Sequence, residues 1–376
     1  MKSICMIAGE PSGDLYAAEV IKHIFSENSE VDIFGIGGDN MIKNNFRAIY
    51  HINQLSFMGF VEVAKNIYTI KKIFNETINQ IKIKNPDVLV LIDFPGFNLR
   101  LIKKAYKFCK RIIYYITPQL WAWGKRRVNI LKKYVNELLV IFPFEKEFYE
   151  KENIKVTFVG HPLVEILNKK EYLSKNEFFN KYNYNLDKKL IAIYPGSRLQ
   201  EIDKHLDLIE DVIKKINNNF DVNIGIAISP LIDRRTFIPF TKFNNVSLIE
   251  KDRHNLLNYA DFAIVKSGTS TIETALFNIP MVIFYKTSWL NYYIGKCFVK
   301  IDSFGMVNII AKKKIVPELL QREANSDNIL KWCEKFLKDM NLTIKVKNEL
   351  RLIKETLAGD GVAERVSKII LYGNAL

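Results

Sequence analysis

Short apolar runs that alternate with longer helical stretches constrain the fold more than any other feature of the sequence. Such runs are typical of parallel strands that helices bury on both faces. The first series is SICMIA, VDIFGI, DVLVLID, RIIYYI, ELLVIF and VTFVG, and the second is LIAIYPGS, DVNIGIAIS, VSLIE, FAIVKSG and MVIFY. The two series predict an α/β protein with two doubly wound, Rossmann-like domains and a cleft between them.

The domain boundaries follow from chain length and local composition. With 376 residues the chain is too long for one ordinary hydrophobic core. The stretch 168–189 is polar, rich in Lys, Asn and Glu, and separates the two series. We therefore predict a first domain over 1–167 and a second over 168–349. The tail has a helical pattern, and we expect a helix at about 350–376 to pack back on the first domain.

The formal net charge of +14 bears on the choice of partner. A positive charge is compatible with three kinds of partner: nucleic acid, an anionic membrane surface or anionic substrates. The whole sequence is biased toward Lys, Asn and Ile, which makes the charge weaker evidence of function. The chain has no RNP-like motif, zinc-finger spacing or Arg-rich tail, so we expect no nucleic-acid partner. No apolar segment is long enough to cross a bilayer and the N-terminus lacks a secretory profile, which predicts a cytoplasmic protein.

Residues directly after the apolar runs are the candidate ligand contacts, because ligands of open parallel sheets bind beyond the carboxyl ends of the strands. After LIAIY comes PGSRLQEI. Gly196 and Ser197 form a small turn that lets the backbone approach an anion, and the Arg198 guanidinium can form bidentate hydrogen bonds to it. The alternative is an ordinary strand-to-helix turn with a solvent-facing arginine.

A second candidate turn, SGTSTIETA, follows FAIVK. Ser267, Gly268 and Thr269 supply hydroxyls and free N–H groups at the positive end of a helix, which is typical of a phosphate site. Glu273 lies one to two turns into that helix and suits sugar hydroxyls. The alternative is a well-capped but otherwise ordinary helix.

The sequence DFPGFN places a carboxylate after the most apolar run of the chain. Asp93 is expected to be partly desolvated there, with Phe94, Pro95 and Phe97 around it. Desolvation would raise its pKa and favour a general base. The alternative is an aspartate that caps the following helix.

Two stretches of the first domain combine apolar and basic residues. TPQLWAWGKRR carries Trp121 and Trp123 ahead of a basic cluster, as an interfacial element does, although core packing is the better interpretation of either indole alone. The stretch 57–84 has an apolar stripe at helical spacing, interpreted as core-facing: Ile67, Ile70, Phe74, Ile78 and Ile81. Further apolar residues lie off this stripe: Phe57, Met58, Phe60, Val61 and Val63. With the neighbouring lysines they predict a surface for acyl chains or a membrane.

Metal and covalent-catalysis motifs are absent from the sequence. The five histidines show no metal-ligand spacing, and H-E-x-x-H, a D-x-D metal motif, Walker A and G-x-S-x-G do not occur. We interpret His161, which follows VTFVG, as a structural hydrogen-bonding residue. The scattered cysteines are expected to be reduced thiols: Cys5, Cys109, Cys297 and Cys333. The sequence therefore predicts no metal and no cofactor.

Several motifs together resemble those of the lipid-A-disaccharide synthases, a family of inverting glycosyltransferases with the GT-B fold. They are AGEPSGD, IDFPGFN, PQLWAWGKRR, PFEKEFY with FVGHPLVE, PGSRLQEI, SGTSTIE and MVNIIAKKKIVPELLQ, in the family's order over nearly the whole chain. The resemblance implies transfer of the sugar of UDP-2,3-diacylglucosamine to 2,3-diacylglucosamine 1-phosphate. The products would be the β-1,6-linked lipid A disaccharide 1-phosphate and UDP.

The resemblance also implies roles for the donor side and the reacting groups. Asp93 would remove the proton of the acceptor 6-hydroxyl, and Arg198 would neutralise charge on the departing diphosphate. The turn with Gly196 and Ser197 and the turn over 267–269 would hold the diphosphate, with Glu273 on the ribose. The last motif would contact the nucleotide or donor sugar through Asn308, Glu318 and Gln321.

The AGEPSGD motif belongs to the domain that receives the acceptor in this fold. Glu10 and Asp14 are expected to hydrogen-bond sugar hydroxyls, although capping of the first helix is an open alternative for Asp14. Gly9 and Gly13 would allow close backbone approach. Ser12 would hydrogen-bond locally and is also expected to be part of the acceptor-binding site.

The resemblance further implies chemistry without a metal, in which cations and helix dipoles stabilise the departing diphosphate and one base acts alone. Lipid substrates imply peripheral contact with the anionic cytoplasmic face of the inner membrane of a Gram-negative bacterium, and a homodimer is left open. The alternatives are another GT-B enzyme acting on UDP-sugars, such as a peptidoglycan-type glycosyltransferase or a UDP-sugar 2-epimerase, or a non-catalytic two-lobed binding protein.

Overall fold

The apolar runs form two parallel β-sheets, one in each of two structural units. The computed structural model describes residues 2–55, 66–122, 124–230, 232–287, 303–357 and 359–373. One unit consists of residues 1–168 and 357–376, and the other of residues 169–356. The predicted α/β class with two doubly wound domains is confirmed.

The first unit contains a seven-stranded parallel sheet. Its strands are β1 (Lys2–Ala8), β2 (Val31–Gly37), β3 (Arg47–His51), β4 (Val88–Ile92), β5 (Arg111–Tyr115), β6 (Glu137–Val140) and β7 (Val156–Phe158). Its helices before the boundary are α1 (Pro11–Glu27), α2 (Asp39–Ile42), α3 (Ile67–Lys84), α4 (Pro95–Ala105), α5 (Val128–Tyr134), α6 (Pro143–Lys151) and α7 (Pro162–Asn168). The strand order is β3-β2-β1-β4-β5-β6-β7. All five residues of β4 are buried, as expected for a strand with helices on both faces.

The second unit repeats this architecture with six parallel strands. They are β8 (Leu190–Tyr194), β9 (Asn223–Ala227), β10 (Val246–Ile249), β11 (Phe262–Lys266), β12 (Met281–Tyr285) and β13 (Glu318–Leu320). The helices are α8 (Lys175–Lys181), α9 (Leu199–Ile202), α10 (Leu206–Asn219), α11 (Arg253–Tyr259), α12 (Thr269–Leu276), α13 (Met306–Ala311), α14 (Ser326–Lys338) and α15 (Met340–Thr356). The strand order is β10-β9-β8-β11-β12-β13.

The end of the chain completes the first unit. Its last helix, α16 (Val362–Tyr372), packs along α1. The Arg111 guanidinium at the start of β5 donates to the Ile369 carbonyl at 2.7 Å. The Ala363 N–H, in the first turn of α16, donates to the Glu165 carboxylate at 3.0 Å. These bonds fix α16 to the sheet and to α7 of its own unit.

Helix α3 carries the apolar stripe that the sequence predicts. Ile81 is buried, and Ile70, Phe74 and Ile78 are half-buried. The prediction is wrong for Ile67, which is 46% exposed because it is the first residue of the helix and the buried face begins one turn later. Positions 57, 58, 60, 61 and 63 lie outside the described residues, as does Trp123.

Candidate active site

Each sheet reverses its strand order once, between β1 and β4 in the first unit and between β8 and β11 in the second. In doubly wound sheets the ligand crevice lies beyond the carboxyl ends of the strands at this reversal. The residues that directly follow these four strands are Gly9, Asp93, Pro195 and Ser267. Four of the sequence motifs therefore lie at the expected position of their own sheet.

Asp93 and Phe94 both have left-handed backbone conformations, with φ values of 46° and 50°. Two successive non-glycine residues in this region are strained and need support from their surroundings. The Asp93 N–H donates to the Tyr115 carbonyl at 3.1 Å. The Asp93 carbonyl accepts from the Tyr114 hydroxyl at 2.7 Å and from the Asn98 amide at 2.8 Å. These bonds fix the backbone of the half-buried Asp93 at the end of β4.

The glycines of AGEPSGD lie close to side chains of their own unit. A Cβ atom on Gly9 would lie 2.2 Å from a ring atom of Phe94, so only glycine leaves room for that ring. The Phe94 ring in turn stacks on Phe97, with centroids 5.4 Å apart. A Cβ on Gly13 would be in ordinary contact with Ile92 at 3.4 Å. Approach of an acceptor to these two glycines stays a prediction.

Glu10 and Ser12 lie at the start of α1, where both are half-buried. Glu10 occupies the N-cap position, but its side chain makes no capping hydrogen bond. Pro11 follows at the first helical position, where its fixed φ suits the helix. Contact of Glu10 and Ser12 with an acceptor sugar stays a prediction.

The buried Asp14 carboxylate caps α2 and not its own helix. Its Oδ1 accepts from the N–H groups of Gly38 at 2.7 Å and Met41 at 3.1 Å. Its Oδ2 accepts from the N–H and the side-chain amide of Asn40 at 3.1 and 2.9 Å. A carboxylate offers about four acceptor positions, so these bonds leave none for a sugar hydroxyl. Both predictions for Asp14, the sugar contact and the cap of α1, are therefore wrong.

Trp121 is half-buried and held by polar and aromatic contacts. Its indole N–H donates to Oε1 of Glu145 at 3.3 Å, and its ring meets the edge of Phe144 at 4.9 Å. Phe144 stacks on Phe142, with centroids 5.6 Å apart. The indole is thus oriented by the start of α6, which joins the PQLWAW and PFEKEFY motifs within the first unit.

Glu145 is a buried acid that the sequence reasoning missed. Only 1% of its surface is exposed, and within the described ranges its Oε2 atom is buried without a hydrogen-bond partner. Burial raises its pKa from 4.5 to about 8, and the charge of Asp93 adds to this rise against the opposing bond from Trp121. The raised pKa favours the protonated form of Glu145 near neutral pH. An acid in the first turn after ELLVIFPF was the available sequence signal.

Replacing Glu145 with glutamine is expected to alter how stability depends on pH. The pKa of Glu145 is higher in the folded protein than in the unfolded protein, so the bound proton stabilises the fold fully below pH 4.5. This stabilisation is lost as the pH rises to about 8. Between these two pH values, the free energy of unfolding of the wild type should fall by about 1.4 kcal/mol per pH unit relative to that of Glu145→Gln. Urea unfolding of both proteins at several pH values measures the difference. Parallel stability profiles would contradict the buried, protonated state of Glu145.

His161 is a structural residue, as its sequence context predicts. Its Nδ1 accepts from the Leu163 N–H at 3.2 Å, and its ring contacts Tyr16 and Phe142. Burial lowers its pKa to about 3, so the ring is neutral at physiological pH. The structural interpretation of His161 is confirmed.

Two glycines shape the candidate site of the second unit. Gly196, after β8, has a φ of +123°, and Gly268, after β11, has a φ of +156°. Other residues rarely adopt these angles, which accounts for glycine at both positions. Among the described residues, no atom lies within 4 Å of a Cβ built on Gly268, so this turn is uncrowded at its glycine. Ser197 and Thr269, which follow the two turns, are exposed.

Arg198 lies at the N-terminus of α9, next to the Gly196 turn. Its side chain is 42% exposed, and its Nη1 lies 3.6 Å from Oε1 of Glu201. The guanidinium is therefore tethered to the protein and still open to solvent on one side. The interpretation of PGSRLQEI as an anion-binding turn is compatible with this geometry and stays a prediction.

The turn after β11 leads into α12 and its first-turn N–H groups. The Ser267 hydroxyl donates to the Phe304 carbonyl at 3.3 Å, and the Thr271 hydroxyl donates to the Gly268 carbonyl at 2.7 Å. Free N–H groups at a helix start attract anions. Further along α12, burial raises the pKa of Glu273, and the positive charges of Arg253 and Lys170 oppose this rise.

Asn308 and Glu318 are engaged in hydrogen bonds within the second unit. The Asn308 amide donates to the Val316 carbonyl at 2.9 Å and to Glu318 Oε1 at 2.7 Å. The side-chain Oδ1 of Asn308 accepts from the N–H of Ile315 at 2.8 Å. The Glu318 carboxylate also accepts from the Gly305 N–H at 3.0 Å, before the first turn of α13. Both side chains thus fix the backbone around α13, and direct contact with a nucleotide stays a prediction.

Gln321 fixes a neighbouring loop. It follows β13 with a φ of 53°, and its side chain is buried. Its Oε1 accepts from the Thr287 N–H at 2.8 Å, and its Nε2 donates to the Thr287 carbonyl at 3.1 Å. This paired bond holds the chain directly after β12.

Membrane-spanning helices and metal-binding clusters both bear on the choice of function. No helix in the described part of the chain has the length and apolar character needed to span a membrane. No group of three or more His, Cys, Asp or Glu side chains there is arranged to hold a metal ion.

The sequence matches one family model across nearly its whole length. The model is described as lipid-A-disaccharide synthetase and matches residues 4–367. The lipid-A-disaccharide synthase of Geobacter sulfurreducens is 32% identical over 372 residues, which cover 98% of this chain and 96% of that protein. Neither comparison favours the alternative functions.

Solved structures with low sequence identity share the fold. The UDP-GlcNAc 2-epimerase of Neisseria meningitidis, solved with UDP-GlcNAc, matches with a TM-score of 0.69 at 13% identity, over 99% of this chain and 100% of that one. The calicheamicin glycosyltransferase CalG4 matches with a TM-score of 0.63 at 13% identity, over the whole of both chains. These matches support the GT-B fold, which epimerases and glycosyltransferases have in common.

Proposed function

Because the chain belongs to the lipid-A-disaccharide synthase family, it is a glycosyltransferase that forms the lipid A disaccharide, and we propose UDP-2,3-diacylglucosamine as its donor and 2,3-diacylglucosamine 1-phosphate as its acceptor. The family match over residues 4–367 is the observation that carries this proposal. The candidate residues at the strand-order reversal of each sheet support it.

In the proposed step, the acceptor 6-hydroxyl gives its proton to the Asp93 carboxylate while its oxygen forms a bond to C1 of the donor sugar. The bond from C1 to the phosphate oxygen breaks, and its electron pair leaves with UDP. One displacement assisted by one base inverts C1 and gives the β-1,6 linkage. The fixed backbone of Asp93 supports its role as the base, and the raised pKa of Glu145 favours the neutral form of that second acid.

On the donor side, we propose that Arg198 and the N-terminus of α12 stabilise the negative charge that develops on UDP. A guanidinium and oriented N–H groups stabilise a departing diphosphate without a metal ion. Gly196, Ser197 and the turn over 267–269 would lie along the diphosphate, and Glu273 would bind the ribose. Because their side chains are already bonded, Asn308, Glu318 and Gln321 would act by holding the surrounding loops.

We further propose that the protein binds peripherally to the anionic cytoplasmic face of the inner membrane. At the start of α3, Ile67 is 46% exposed and Tyr68 is 86% exposed. Lys71 and Lys72 are exposed on the next turn of this helix. Apolar side chains next to lysines favour insertion beside anionic lipid headgroups. This surface would also bring acyl chains toward the first unit.

A reconstituted assay tests the proposed reaction and its independence of metal. Purified protein, donor and acceptor are incubated with and without a chelator, and UDP and disaccharide are measured. We expect both products only when both substrates are present, at equal rates with and without chelator. UDP release that stops with chelator would overturn the metal-free donor site. Release of UDP from the donor without disaccharide would overturn the assigned acceptor.

A further inference from the structure

Lys266 and Glu201 form an ion pair at the strand-order reversal of the second sheet. Lys266 is the last residue of β11, directly before the Ser267 turn, and Glu201 lies in α9. The Lys266 Nζ lies 2.7 Å from Oε1 of Glu201, and only 11% and 18% of the two side chains are exposed. Neither residue was among the sequence-predicted contacts.

The ion pair lies against the turn that the sequence identifies as anion-binding. A Cβ on Gly196 would lie 3.4 Å from Oε2 of Glu201 and 3.7 Å from Cδ of Lys266. Arg198 approaches the same Oε1 of Glu201 at 3.6 Å. The ammonium of Lys266 also lies 5.2 Å from the centre of the Tyr285 ring. The end of β11 and the turn after β8 thus bring two cations to one carboxylate.

Two cations and one carboxylate meet at this position. Lys266 and Arg198 both approach Glu201, and α12, with the partial positive charge at its start, follows Lys266 in the chain. Burial lowers the pKa of Lys266, and Glu201 opposes that change. Within the described ranges, Oε2 of Glu201 is buried without a hydrogen-bond partner, and both cations lie nearest to Oε1. A diphosphate bound at the Gly196 turn would meet both cations.

We propose that Lys266 is a second cationic contact for the donor diphosphate and that Glu201 is the positioning residue that holds Lys266 and Arg198 beside the Gly196 turn. The inference rests on the proposed function, because it takes a UDP-sugar as the donor. The ammonium needs only a small rotation of its flexible stem to exchange part of its contact with Glu201 for a phosphate oxygen. The competing interpretation is a purely structural ion pair.

Calorimetric titration with UDP and with uridine separates the two interpretations. Lys266→Met is expected to weaken UDP binding about 10- to 100-fold, as for loss of a hydrogen bond to a charged group, with uridine binding unchanged. Lys266→Arg should retain most of the affinity. Lys204→Met, at an exposed lysine near α9, is the matched control and should bind UDP as the wild type does. Wild-type UDP affinity in folded Lys266→Met, or equal loss for uridine, would overturn the assignment.

The positioning role of Glu201 is tested by a double-mutant cycle. Glu201→Gln should raise the donor KM and lower kcat in the wild-type background, and its effect should be smaller in Lys266→Met. Fully additive effects would exclude action through Lys266. If Lys266→Met fails to fold, Lys266→Gln keeps a donor for Glu201 and permits the same comparison. Failure of the wild type to form disaccharide would overturn the proposed function, whereas wild-type turnover and UDP affinity in the Lys266 variants would overturn this inference alone.

Discussion

Replacing Asp93 with asparagine is expected to lower kcat for sugar transfer by about 10²- to 10⁴-fold, the usual contribution of a general base. The affinity for UDP should not change, because the variant removes only a proton acceptor of the first unit. Asparagine has nearly the same shape and tolerates a φ of 46°, whereas alanine would add backbone strain to the chemical effect. Product formation and calorimetric UDP binding measure the two effects separately.

Asp87→Asn is the matched control for Asp93→Asn. Asp87 directly precedes β4, at the end of the strand opposite Asp93. There it accepts from the Ser3 N–H at 2.9 Å and from Lys110 at 2.7 Å. Loss of this exposed ion pair should change the free energy of unfolding little, and Asp87 has no proposed role in catalysis. The kcat of Asp87→Asn should therefore match that of the wild type. Full activity in Asp93→Asn would contradict the assignment of the base. Equal losses in both variants would point to a change in the sheet itself.

Replacing Arg198 with alanine should lower kcat by about 10²- to 10³-fold, as for removal of one group that stabilises transition-state charge. Charge builds up on the diphosphate as the bond to C1 breaks, so the guanidinium matters most at that moment. Arg198→Lys should retain intermediate activity, because an ammonium keeps the charge and loses the fork geometry. Single-turnover kinetics of UDP release measure the chemical step directly.

Arg235→Ala provides the control for the arginine series. Arg235 belongs to the same unit, is 83% exposed and pairs with Asp233 far along the chain from the glycine turns. Its removal changes the net charge as Arg198→Ala does and should leave kcat unaltered. Wild-type turnover by Arg198→Ala would exclude the proposed role, and an equal loss with Arg235→Ala would indicate a general charge effect.

The central strands could be predicted because burial on both faces leaves continuous apolar runs. β4 reads VLVLI and β8 reads LIAIY, and every residue of both is buried. Two of the four edge strands, β3 and β13, were not predicted. β3 reads RAIYH and is half exposed, and β13 has only three residues, so neither leaves a clear apolar pattern. The doubly wound class then followed from general rules of parallel sheets, whereas the strand order came from the structure.

The site residues were predictable where the signal is local and not where it depends on distant partners. Gly196 and Gly268 follow strands and have the positive φ values that their turns require. The donors to Asp14 come from residues 24 to 27 positions away, which no local pattern specifies. The partner of Lys266 is more remote still, at a separation of 65 residues. Pairings of this kind are set by the packing of the whole unit.

The division of the first unit between residues 1–168 and 357–376 has a consequence for synthesis and engineering. The second unit is an insertion, so a ribosome completes all of it before the helix that covers α1 exists. One continuous cassette, 169–356, therefore encodes the whole proposed donor module. It can be exchanged between relatives by two junctions, provided that both pieces of the surrounding unit come from the same parent.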